Sequence, residues 1–170
     1  MAEVPRSPDA EEKPRVELRG GELSRYTPEG QLVWILRSPA LAYYDDREQT
    51  RAQDVEVRFF DAQGREALTV RARELIFFHE TGDFLLRGGI VGEDPEGLRF
   101  QTEEARWVER EGVLRGDEPI DVERPDAQLS GRGFEYRPRA GELVVHDARL
   151  RLFGPLSPPD PDEDEDDDDG

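Results

Sequence analysis

Apolar and polar residues alternate with a period of two through most of the chain. In "DVEVRFF", Val55, Val57 and Phe59 fall on one face, and Glu56 and Arg58 on the other. Leu68, Val70 and Ala72 oppose Thr69, Arg71 and Arg73, while Phe84, Leu86 and Ile90 share one parity with Gly88 between them. Leu98, Phe100 and Thr102 alternate with Arg99, Gln101 and Glu103. This period belongs to antiparallel strands with one dry and one wet face. Turn signals punctuate it about every 16 residues on average, at Pro28-Glu29-Gly30, Asp45-Asp46-Arg47, Asp61–Gly64, Thr81-Gly82-Asp83, Asp94–Gly97, Arg110-Glu111-Gly112, Pro125-Asp126 and Arg139-Ala140-Gly141. The spacing predicts hairpins with strands longer than the usual five or six residues. "QTEEARWVEREG" is the one segment with a helical flavour, but Phe100, Thr102 and Trp107 keep the strand beat.

Two layers of such strands bury their inner faces as a sandwich or jellyroll. A ladder of stacked hairpins with open ends satisfies the same pattern, and its ends must be blunted or used. The expected organisation is a flexible lead-in over residues 1–15 with Pro5, Pro8 and Pro14, a β domain over 16–155, and an acidic, disordered tail over 156–170.

Composition sharpens this picture. The chain is 35% apolar and 38% charged, with a net charge of -18. The wet strand faces account for much of that charge. Nine acids sit between Asp160 and Asp169; without them 32 acids face 23 bases, about -9. No basic footprint for nucleic acid is present. There is no cysteine, which excludes disulfides and thiolate chemistry. The opening residues contain no apolar stretch long enough for a signal peptide or membrane span.

Candidate chemistry is sparse. His79 and His146 each neighbour an acid, but no nucleophile motif accompanies them, and both read as surface residues at strand ends. The acidic tail lacks the glycine and spacing of a calcium loop, so no metal or cofactor is expected. Gly88, Gly89 and Gly92 form no phosphate-binding motif and fit a strand that bends or bulges, with Gly97 completing a turn. The positive signal is apolar: Trp34, Leu36, Leu41, Phe59, Phe77, Phe84, Leu86, Phe100 and Phe134 lie on nearly every strand. They serve either as sealed core or as the lining of a trough for acyl chains. Each methylene withdrawn from water contributes about 0.8 kcal/mol in either use.

In order and spacing, "GQLVWILRSPALAYYDD", "AQDVEVRFFDAQGREALTVRARELIFF", "GDFLLRGGIVGEDPEGLRFQTEEARW", "LRGDEPIDVERPDAQLSGRGFEY" and "GELVVHDARLRL" resemble the LptC family, the periplasmic component of the lipopolysaccharide-export machinery. The resemblance runs from about Gly30 to Leu152. It implies an elongated, twisted β-jellyroll of two antiparallel sheets with an open hydrophobic groove. It also implies a non-enzymatic role: binding the acyl chains of lipid A and passing lipopolysaccharide from an inner-membrane LptBFG-type ABC transporter to an LptA-like periplasmic bridge. Groove positions carried over by place in the strand pattern are Leu68, Val70, Phe84, Leu86, Phe100 and Phe134. Gly131 and Gly133 in "SGRGF" match the glycine pair near the edge that docks a partner. The implied location is the periplasm beside the inner membrane, although the family's N-terminal membrane helix has no counterpart in these residues. An LptA-like bridge component and a carbohydrate-binding or structural β-sandwich are the competing readings. Outward-facing aromatic residues would favour the sandwich.

Overall fold

The computed structural model describes residues 16–44 and 48–154. The lead-in, the Asp45-Asp46-Arg47 turn and the acidic tail lie outside the described residues. Within them are twelve strands: β1 (Val16–Leu18), β2 (Gly21–Tyr26), β3 (Leu32–Ser38), β4 (Ala40–Tyr44), β5 (Gln49–Phe60), β6 (Glu66–Phe78), β7 (Phe84–Glu93), β8 (Arg99–Val108), β9 (Val113–Arg124), β10 (Ala127–Arg137), β11 (Glu142–Val145) and β12 (Arg149–Leu152). No helix among the described residues is long and apolar enough to cross a membrane.

Strands β5 to β10 are 10 to 13 residues long and pair in chain order, each antiparallel to the next. The turns between them form where their residue types require. Asp61 accepts hydrogen bonds from the backbone amides of Gln63 and Arg65, both at 2.9 Å. The Arg65 amide, chiefly, holds the Asp61 carboxyl below its usual range. Asp94 repeats the arrangement with the Glu96 and Leu98 amides. Both turns close on a glycine with positive φ, Gly64 and Gly97.

The two expected layers are the two halves of one hydrogen-bonded network. β5 pairs with β4 through Gln49–Gln53 and with β3 through Glu56–Phe59. β10 likewise pairs with β12 through Ala127–Ser130 and with β11 through Phe134–Arg137. One layer therefore ends on β2 and β12, the other on β1 and β4 at one side and β11 at the other. Between the halves runs a crease. Register shifts fall between Arg71 and Glu74, Arg87 and Ile90, Thr102 and Arg106, and Arg132 and Phe134. In β7 the crease is Gly88-Gly89, with φ of 91° and 88°, a conformation that glycine adopts without a Cβ penalty.

An irregularity in the pleat reverses which parity faces inward. Leu68, Val70 and Ala72 point inward before the crease of β6, and Leu75 and Phe77 after it. Phe100 and Thr102 are followed in the same way by Ala105 and Trp107. Both halves thus turn their apolar side to a common interior. The inner faces of all long strands contribute to one continuous core.

Candidate functional site: an apolar interior with polar ties across its mouth

All six residues expected to line a groove lie in this interior. Leu68, Val70 and Phe100 come from the β2/β12 layer; Phe84, Leu86 and Phe134 come from the facing one. Five are 0% exposed and Phe134 is 1% exposed. The layers meet through aromatic rings. Trp34 and Phe84 contact edge to face at 5.3 Å, Phe59 and Trp107 lie 5.0 Å apart, and Phe100 meets Phe134 at 5.5 Å. The trough is therefore filled along its centre by its own side chains.

The interior is nearly devoid of polar groups, and the exceptions are informative. The Trp107 Nε1–H donates to Glu109 Oε1 at 2.8 Å, whereas Trp34 Nε1 is buried without an acceptor among the described residues. The Tyr136 hydroxyl reaches across the layers and donates to the Ala67 carbonyl at 3.3 Å. Burial, reinforced by the negative charges of Asp94 and Asp61, pushes its pKa up to about 12.

Opposite the crease, the hairpin ends of the two layers face each other. Polar contacts tie them together. Arg25 pairs with Glu109 at 3.0 Å, and Arg139 donates to Gln31 Oε1 at 2.9 Å. Tyr136 also lines a cleft of about 760 Å³ between Asp61–Ala67, Asp94–Glu96 and Arg139–Gly141. These exposed contacts are weak individually, about 0–1 kcal/mol for a surface ion pair. They hold a mouth over an interior whose closure is mainly apolar.

The interior reaches solvent at the β11/β12 end. Leu129, Leu143 and Val145 pack against the core, and Leu150 pairs across the strands with Leu129 on the same inward parity. Leu150 is 59% exposed, Leu152 48% and Phe153 47%. Gly131 and Gly133 lie one strand in from this edge, beneath the turn joining β11 to β12. A Cβ on Gly131 would stand 2.5 Å from the His146 carbonyl oxygen, and Gly133 has φ of 92°. The Arg132 amide donates to the His146 carbonyl, and the His146 amide to the Gly133 carbonyl, both at 2.9 Å. The two glycines shape the edge; β11 and β12 form it. Pattern reading missed this, because "VVHDAR" carries no glycine or proline where the edge strand breaks.

The outer face differs in kind. A polar cleft of about 1070 Å³ lies over the crease, lined by Arg71, Arg73, Glu93, Arg99, Gln101 and Glu103 among others. Arg71 joins Glu56 and Glu93 there, and Arg99 joins Glu93. Most of the large aromatic residues of the strands point away from it into the core; Tyr26 is 56% exposed near the β2 end, and Phe60 and Phe78 are half-buried, with the Arg106 guanidinium over the Phe78 ring. His79 sits at a strand end, its ring against Tyr43 and Phe77 and its Nε2 at 2.7 Å from Thr50 Oγ1. Among the described residues no group of three His, Asp or Glu side chains is placed to hold a metal ion.

Residues 2–148 match the family model described as "Lipopolysaccharide-assembly, LptC-related". Among solved structures, the chain is similar to LptH, described as the LptA-homologous periplasmic component of the lipopolysaccharide transport device of Pseudomonas aeruginosa. The TM-score is 0.53 at 8% identity, covering 72% of this chain and 94% of that one. At that identity the two share a fold. No curated protein matches the chain in sequence.

Proposed function

The chain belongs to the LptC-related family of lipopolysaccharide-assembly proteins, and from that membership we propose that it binds lipopolysaccharide by its acyl chains and hands it on. The family is non-catalytic and serves lipopolysaccharide transport; the binding and transfer steps are our reading. In this reading the protein works in the periplasm beside the inner membrane. It receives lipid from an ABC exporter and delivers it to an LptA-like bridge at the β11/β12 end. Leu68, Val70, Phe84, Leu86, Phe100 and Phe134 are the proposed acyl contacts, and Gly131 and Gly133 set the shape of the proposed docking edge.

The observation that carries the proposal is the continuous apolar interior, sealed by weak polar ties and open at an end that carries Leu150, Leu152 and Phe153. An interior built only for stability has no need of an exposed apolar terminus aligned with its core. Acyl chains replace side-chain contacts with similar contacts, so the exchange costs little beyond parting the layers. A free edge strand supplies unpaired backbone groups for a neighbouring sheet, as in strand addition.

The test exploits the absence of native cysteine. With Arg25→Cys and Glu109→Cys joined by a short bis-maleimide, the mouth cannot part. Lipopolysaccharide binding, read from quenching of Trp34 and Trp107 emission, is expected to fall at least ten-fold. The same two substitutions left unjoined are expected to bind as well as the parent chain. Undiminished binding by the joined form contradicts entry between the layers.

A further inference from the structure

On the outer face the arginines of β3 and β5 to β9 are largely matched with acids. Arg37 pairs with Glu22, Arg87 with Glu74 at 2.8 Å, and Arg115 with Glu111 at 2.8 Å. That pattern stops at the C-terminal edge. Arg132, Arg149 and Arg151 are exposed and have no ion-pair partner among the described residues. Their positions converge. Arg149 pairs across the strands with Ser130, and Arg151 with Gln128, while Arg132 lies two residues along β10 from Ser130. All three stand on the outer side, since Leu150 between the two β12 arginines pairs with Leu129, which packs on the core. Acids stand nearby on β9 and in the turn before β12, but none of them forms an ion pair with these arginines. Asp121 accepts from Ser130 at 2.9 Å, Glu123 faces Gln128 from β9, and Asp147 occupies the turn. Arg19, Arg73 and Arg110 also lack ion-pair partners but lie away from this edge, and Arg124, at the same end of β9, stands opposite Ala127 on the other parity.

The complementary charge is in the same chain. β12 ends at Leu152, and the nine acids of Asp160–Asp169 begin eight residues later. Eight residues span up to about 27 Å, more than the ~13 Å of a four-residue strand, so this segment can double back along β12. Covalent attachment gives it an effective concentration on the order of millimolar at that edge. No basic residue lies between Gly154 and Gly170 to satisfy it locally.

We propose that the acidic run Asp160–Asp169 lies against the Arg132–Arg149–Arg151 strip and covers the C-terminal edge of the sheet. The free side of β12 is then masked by the chain's own polyanion. A second copy or another sheet must displace that cover before it pairs with the strand. The contact stands independently of lipid binding: the arginines face away from the apolar interior.

Paramagnetic relaxation in the full chain tests this directly. A nitroxide on Asp166→Cys is the sole label, because no other cysteine exists. At low ionic strength, amides of residues 128–132 and 149–152 are expected to broaden strongly. In 1 M salt, where the Debye length is about 3 Å, the effect is expected to fall at least three-fold. Arg149→Gln/Arg151→Gln is expected to abolish it while leaving the other amide positions unmoved. Should that variant fail to fold, the salt series on the parent chain decides alone. Broadening that is absent at low salt, spread evenly over the surface or indifferent to 1 M salt overturns the proposal. So does broadening of an isotope-labelled, nitroxide-free chain by unlabelled nitroxide chains mixed with it, which assigns the contact to a second copy.

Discussion

Phe134 lies over Gly116, its cross-strand partner, so closely that a Cβ on the glycine would stand 2.7 Å from the ring carbon Cε1. Phe100 covers Gly92 on the neighbouring pair of strands in the same way. The two phenyl rings then meet each other from opposite layers. Each ring occupies the space that a side chain would take, and the missing Cβ atoms let both rings settle inside. Gly116→Ala is therefore expected to destabilise the fold by about 1–3 kcal/mol through overpacking. Phe134→Ala is expected to cost about 3–5 kcal/mol. In the double variant the clash with the ring has gone, while that with the Glu104 carbonyl oxygen, also 2.7 Å from the added Cβ, stays, so the combined cost should fall short of the sum by at least about 0.5 kcal/mol. Urea denaturation of the three variants measures this, and strict additivity would show that the ring does not rest on Gly116.

Trp34 and Trp107 are both 1% exposed but differ in their polar end: only Trp107 has an acceptor among the described residues. An unsatisfied buried donor costs about 1–3 kcal/mol. Replacing Trp34 with Phe removes that penalty along with some volume, whereas Trp107→Phe loses a hydrogen bond to a carboxylate. Trp34→Phe is expected to be the milder change by at least about 1 kcal/mol in denaturant unfolding. The reverse order would mean that the Trp34 indole is satisfied in solution.

Tyr136 gives the fold an alkaline limit. Its pKa of about 12 in the folded chain exceeds the unfolded value of about 10. Between those values the folded state holds the proton more firmly, so stability is constant below pH about 10 and declines as pH rises toward about 12. Tyr136→Phe cannot ionise. Its stability relative to the parent is expected to be flat to about pH 10 and to improve above it. Thermal melts at pH 8, 10 and 11 are sufficient, and parallel curves for the two proteins would contradict the assignment.

The alternation around Val55, Leu68, Phe84 and Phe100 made the strands, their lengths and their inward residues legible, because a two-residue period survives any three-dimensional arrangement. The described turns were equally legible from Asp, Gly and Pro. What the pattern concealed was the crease. Leu75 and Phe77 lie on the opposite parity to Leu68 and Val70, and that reversal reads as noise until strand register reveals the irregularity. The division of the partners of β5 between β3 and β4 was hidden for a related reason. Pro39 separates β3 from β4, and only pairing shows the two strands sharing one neighbour. Gly131 and Gly133 were legible as special positions but not as residues one strand in from the edge, since backbone crowding by His146 depends on a distant segment. The ties across the mouth join residues 84 and 108 positions apart, beyond the reach of any local signal.

Site-specific photo-cross-linking measures the central claim, that the apolar interior carries the lipid. A benzophenone side chain at Phe84 or Phe100 reports from inside, and one at Arg99 or Glu103 from the outer face of the same sheet. With lipopolysaccharide present, capture is predicted at Phe84 and Phe100 and at background level at Arg99 and Glu103. Equal capture on both faces, or none at the interior positions of a folded protein, would contradict it.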